Sequence, residues 1–111
     1  MDSYKCAEYI AYILDQPEIL CQLAEELTEA AQAALKLARA MKGTNPTPLT
    51  VQQAKTMLNE ELADVNACCA CVTGLDFERM DMLSWKKLNR WATRIAKNIA
   101  QNVAKGIDKD S

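Results

Sequence analysis

An all-α fold, an antiparallel four-helix-type bundle, is what three features of this sequence predict. The apolar half of the chain is mostly Ala and Leu, with few β-branched or aromatic residues. Gly and Pro number three each, too few for the turns of an all-β domain. Apolar residues recur three and four positions apart over long stretches, the period of a helix that buries one face. At 111 residues the chain has material for one core, so residues 1–111 are expected to form a single domain.

The first helix is expected from about Tyr4 to Leu14, with Asp15, Gln16 and Pro17 ending it. Pro17 then suits the first turn of a second helix, where a missing N–H costs nothing. Leu20, Leu23, Leu27, Ala30, Ala34, Leu37 and Met41 carry that helix to Lys42, and Gly43 sits where a left-handed residue ends a helix. Thr44 to Leu49, containing Pro46 and Pro48, reads as a loop. Thr50 and Gln53 form a capping box for a third helix, which Val51, Ala54, Leu58, Leu62, Val65, Cys69 and Val72 extend to Gly74. Asp76 to Asp81 reads as a turn. A fourth helix from about Met82 to Ala104 puts Leu88, Trp91, Ala92, Ile95, Ile99 and Val103 on one face, and the tail beyond Gly106 is expected to fray.

The net charge of −2 conceals opposed ends. Residues 1–35 carry seven acids and one base, whereas residues 76–111 carry eight bases and five acids. Such ends can fold onto each other or meet a polyanion. The near-neutral total, the lack of zinc-finger spacing and the lack of an aromatic–glycine RNA-binding motif argue against a nucleic-acid partner. No stretch nears the roughly 18 unbroken apolar residues of a membrane span, and Met1 to Lys5 lacks the regions of a signal peptide. The expectation is a cytoplasmic protein without a membrane partner, its five cysteines reduced. Histidine is absent altogether. That removes the commonest general base and metal ligand and leaves chemistry to carboxylates, cysteine or a hard metal ion.

Two acidic strings stand out: Glu25-Glu26-Leu27-Thr28-Glu29 on the second helix and Glu61-Leu62-Ala63-Asp64 on the third. Acids three apart lie roughly 60° apart around a helix, so each pair shares a side. Met57, Cys68 and Leu75 straddle Glu61 and Asp64, while Ala33, Leu37 and Ala40 border Glu26 and Glu29. Carboxylates bracketed by apolar residues on two helices repel one another or take up protons unless a cation neutralises them. Oxygen-only ligands select a hard ion, Mg²⁺ or else Mn²⁺, with room left for waters and substrate phosphates.

The EExxE of Glu25 to Glu29 and the ExxD of Glu61 to Asp64 resemble the MazG-like all-α nucleoside triphosphate pyrophosphatases. The stretch from Glu25 to Val65, Asn45-Pro46-Thr47-Pro48 within it, and Lys87-Leu88-Asn89-Arg90-Trp91 look like small phage and bacterial members, and the likeness covers about residues 19–97. The resemblance implies a homo-oligomer, dimer or tetramer, that uses Mg²⁺ to cleave a (d)NTP between its α and β phosphates, giving (d)NMP and pyrophosphate. By motif it makes Glu26, Glu29, Glu61 and Asp64 metal ligands and Glu25 a supporting acid or water activator. The reaction it implies is in-line attack on phosphorus by a water that the metal acidifies. The 31-residue spacer between Glu29 and Glu61 leaves the related dimeric dUTPases, acting on dUTP or dUDP, as an alternative.

Cations for the substrate phosphates are sought at Lys87, Arg90 and Arg94, with Lys36 and Arg39 behind them. Arg90, Arg94 and Lys97 sit about 150° from the apolar face of their helix, as an ordinary solvated basic side would. Trp85, Trp91, Tyr9 and Tyr12 could stack on a base, although aromatics at helical spacing more often pack. Cys68 and Cys71 form a CxxC near the C-terminal end of a helix, the wrong end for lowering a thiol pKa, and are read as small core residues. Two non-enzymatic or differently catalytic alternatives remain: a helical oligomerisation module with structural acids, and a thiol or zinc protein through these cysteines.

Overall fold

A computed structural model describes residues 2–43 and 48–106. Four helices account for their regular structure: α1 (Ser3–Ile13), α2 (Gln16–Lys42), α3 (Val51–Cys71) and α4 (Phe77–Ala104). The fold is all-α, as expected. The loop expectation over 44–47 and the fraying tail from 107 lie outside the described residues.

Side chains start each helix. The Asp2 carboxylate accepts from Lys5 N–H at 2.8 Å, so α1 begins at Ser3. Asp15, expected to end α1, caps α2 by accepting from Glu18 N–H at 2.9 Å, with Pro17 in the first turn. Gly43 ends α2 at φ 64°, where a Cβ would be strained. The Thr50–Gln53 capping box is present in both directions, at 3.1 and 2.9 Å. Two boundaries need correction. α3 stops at Cys71, short of Gly74, and α4 starts at Phe77 rather than Met82 because Asp76 accepts from Arg79 N–H at 3.0 Å. The residues read as a turn are the first turn of α4, with Glu78 complementing the helix dipole.

The chain groups into two compact units, Met1–Leu75 and Asp76–Ser111. In the first, α3 packs along α2 and receives α1. Gln16, at the start of α2, donates from Nε2 to the Cys71 carbonyl at 3.2 Å and accepts from Thr73 N–H at 2.9 Å. The start of α2 therefore lies beside the end of α3, and the two helices are antiparallel. Among the described residues, Ile19, Ala30, Ala33, Ala54 and Cys71 are buried. Three of these five are alanines, which let the α2 and α3 backbones come close. The buried stripe is rotated from the expected one: Leu20, Leu27 and Leu62 face solvent at about half exposure, while Ala33 goes inside.

The second unit is α4. Helical geometry sets Leu88, Ile95 and Ile99 on one side and Arg90, Arg94 and Lys97 on the other. No helix among the described residues is long and apolar enough to cross a membrane.

Candidate metal centre

The alanine seam decides where the acids meet. Glu26 and Glu29 lie on α2 one turn before Ala30 and Ala33, and Glu61 and Asp64 lie on α3 beyond Ala54. Antiparallel packing brings three of these four positions, Glu26, Glu29 and Glu61, together. One carboxylate oxygen from each of Glu26, Glu29 and Glu61 falls within 4.8 Å of the others. Glu26 and Glu61 are half-buried and Glu29 is exposed. Oε2 of Glu26 and Oε2 of Glu61 are shut off from solvent, and among the described residues neither has a hydrogen-bond partner. Oε1 of Glu26 accepts from Gln22 Nε2 at 2.9 Å, one turn earlier on α2.

The electrostatics follow from this crowding. Desolvation lifts the Glu26 carboxyl above its ordinary pKa, the Gln22 hydrogen bond pulls it back, and the charges of Glu29 and Asp64 add to the rise. Asp64 is itself exposed, yet its charge reaches Glu26. Of the four acids expected to converge, Glu26, Glu29 and Glu61 come together and Asp64 stays outside their group, and only Glu26 and Glu61 are partly dry. Burial, and then the charge of Glu26, also push the Cys68 thiol upward. A thiol held protonated in this way is a poor nucleophile. Cys71 is buried and donates weakly from Sγ to the Ala67 carbonyl at 3.4 Å. Among the described residues the cysteines join no ligand group of three.

Of the other residues singled out, Glu25 is exposed on α2 about 100° around the helix from Glu26 and is not in the three-carboxylate group. Lys36 and Arg39 are half-buried farther along α2. Tyr9 and Tyr12 are exposed on α1. On α4, Lys87, Arg90 and Arg94 border one shallow recess together with Trp91, and Trp85 borders a second with Lys86, Asn89, Arg90 and Thr93. Each α4 recess therefore pairs an indole with cationic side chains on the helix surface.

Gln22 was not singled out by the sequence. Its signal was local, since an amide four residues before an acid on one helix is within hydrogen-bonding reach. Cys68 lay on the acids' side of α3 by helical geometry but read only as packing.

No family model, curated protein or solved structure matches this chain. Its chemistry rests on its own side chains. Three convergent carboxylates, two of whose oxygens are buried and unpartnered, make an acceptor set that protein donors leave unsatisfied. Unmet buried acceptors cost about 1–3 kcal/mol each, more when charged. A hard divalent cation fits such an oxygen-only set, whereas zinc and other softer ions favour nitrogen and sulfur.

Proposed function

We propose that this chain is a Mg²⁺-dependent nucleoside triphosphate pyrophosphohydrolase, cleaving a (d)NTP to the monophosphate and pyrophosphate as a homo-oligomer. The observation that carries this reading is the meeting of Glu26, Glu29 and Glu61 from two helices, with Oε2 of Glu26 and Oε2 of Glu61 buried and unpartnered. The resemblance of the EExxE and ExxD strings to the MazG-like enzymes supports the choice of reaction.

Glu26, Glu29 and Glu61 would hold the ion; Asp64, the fourth acid of the motif, lies outside their group but adds its charge at Glu26. When bound, Mg²⁺ or Mn²⁺ neutralises phosphate oxygens and acidifies water, the work that histidine does elsewhere. Glu25, beside Glu26 in sequence and open to solvent, is suited to receive a proton from the attacking water rather than to bind the ion. Lys87, Arg90 and Arg94 carry the positive charge that a leaving pyrophosphate requires. Association is supported by Leu20, Leu27, Leu35 and Leu62, which leave apolar surface open on the first unit.

The test is a panel of the common ribo- and deoxyribonucleoside triphosphates plus dUTP and dUDP, with Mg²⁺ and with Mn²⁺, following pyrophosphate and phosphate separately. Pyrophosphate from at least one triphosphate is expected. Turnover confined to dUTP and dUDP would move the assignment to the dimeric dUTPase type, and no turnover with either ion would remove it.

A further inference from the structure

Helix α2 carries two apolar faces, and one of them is open. Ile19, Ala30 and Ala33 lie on the face that is buried within the first unit. About 100° around the helix runs a second line, in which an apolar residue recurs from Leu20 to Met41 at alternating steps of four and three. Every residue of that line is exposed, with Leu20, Leu27 and Met41 at 49, 51 and 56 %. The line is roughly 32 Å long at 1.5 Å per residue. Alternating steps of four and three are the repeat by which two long helices pair, and the seam with α3 does not use them.

Charge decides what fits this face. All four acids of α2, from Glu18 to Glu29, precede all three of its bases, from Lys36 to Lys42. A second α2 running parallel would set acid on acid and base on base. Running antiparallel, it sets the acidic half of each copy along the basic half of the other, and two-fold symmetry repeats that match. The apolar line accepts the same direction: turned about Ala31, Leu20 falls beside Met41, Ala24 beside Ala38 and Leu27 beside Ala34. Leu27 thus meets a small residue, and Ala31 meets its own copy, where a methyl group lets two backbones approach. Helix α4, with six bases and two acids, matches the acidic half alone.

We propose that the Leu20–Met41 face of α2 is the docking surface for the same face of a second copy, antiparallel about a two-fold axis near Ala31. The proposal rests on the homo-oligomer named under the proposed function and gives it a surface and a direction. The metal reading of the acids does not enter.

The experiment is sedimentation equilibrium of the full chain at micromolar concentration in low salt with reductant, alongside circular dichroism. Wild type is compared with Ala31→Glu, Glu25→Lys, Arg39→Glu and the double variant Glu25→Lys/Arg39→Glu. Wild type is expected at no less than twice the 12.3 kDa of one chain. Ala31→Glu sets like charges against each other on the axis and should halve that mass, with helix content unchanged because Ala31 is exposed in the single chain. Glu25→Lys and Arg39→Glu should each weaken association about tenfold, since each reversal counts twice across the axis, and the double variant should regain wild-type association. A mass that Ala31→Glu leaves unchanged overturns this face and leaves the oligomer standing, whereas a monomeric wild type overturns both. A double variant no tighter than the single ones overturns the antiparallel direction. Tighter association in Arg39→Glu overturns the second α2 as occupant in favour of a basic segment such as α4.

Discussion

Within one helical hairpin, α2 and α3 treat polar side chains in two opposite ways. At the open end, Gln16 spends both ends of its amide on the opposite helix end, the Cys71 carbonyl at 3.2 Å and the Thr73 N–H at 2.9 Å. Farther along the same seam, Glu26 and Glu61 each keep an oxygen buried with no partner among the described residues. The packing is continuous, so the seam can satisfy polar groups and does so at Gln16. A pair of charged acceptors left unmet a few turns away is a cost that folding alone gives no reason to bear. The clamp at Gln16 belongs to stability. On the proposed reading the acids belong to binding.

Substitution should separate these two regions, and the largest effect belongs to the acids. Glu61→Gln or Glu26→Gln keeps shape and removes one ligand charge. Either should lower Mg²⁺-dependent pyrophosphate release by more than about a hundredfold, since even residues one shell out cost up to that much. An active Glu61→Gln would erase the distinction between the two regions from the acidic side.

Gln16→Ala should do the reverse. It strands the Cys71 carbonyl and the Thr73 N–H at a site only partly buried, so a loss of about 1–2 kcal/mol in urea unfolding is expected, with activity per folded molecule unchanged. If Gln16→Ala unfolds at the wild-type urea concentration, the clamp is ornamental and the contrast weakens.

A smaller effect is a tilt with pH. Glu26 has its folded pKa raised, chiefly by desolvation, so the metal-free folded state holds a proton more tightly than the unfolded chain does. Stability contributed by that proton is present below the ordinary glutamate range and is lost as pH rises from there through the folded value. Glu26→Gln should flatten this part of the metal-free stability profile, and an unaltered profile would show that the carboxyl feels no such environment.

Much of this was legible in the sequence because it is local. The Thr50–Gln53 box, Gly43 after Lys42 and the pairs at Glu26, Glu29, Glu61 and Asp64 each lie within one turn of chain. Asp76 misled because an Asp can open a turn or cap a helix, and only the bond to Arg79 N–H distinguishes them. The α2 stripe misled for another reason. Leucines occur on several sides of that helix, so periodicity alone admits more than one buried face, and the close approach at Ala30, Ala33 and Ala54 decides it. Gln16 could not be read at all, since its partners lie 55 and 57 residues away. The division of roles among the acids was equally hidden: spacing puts Glu29 and Asp64 on the right side of each helix but does not say that Glu26 and Glu61 are the drier pair.

Thermal unfolding of wild type and Glu61→Gln, with Mg²⁺ and with NaCl of matched ionic strength, tests the central claim most directly. Without the ion, Glu61→Gln should melt at or above wild type because one repelling charge is gone. Mg²⁺ at about a hundred times its dissociation constant should stabilise wild type by about 2.7 kcal/mol and leave the variant unmoved. Melting temperatures that ignore Mg²⁺ in both proteins, and that do not rise on removing the charge, would contradict the account and make the acids solvated surface groups.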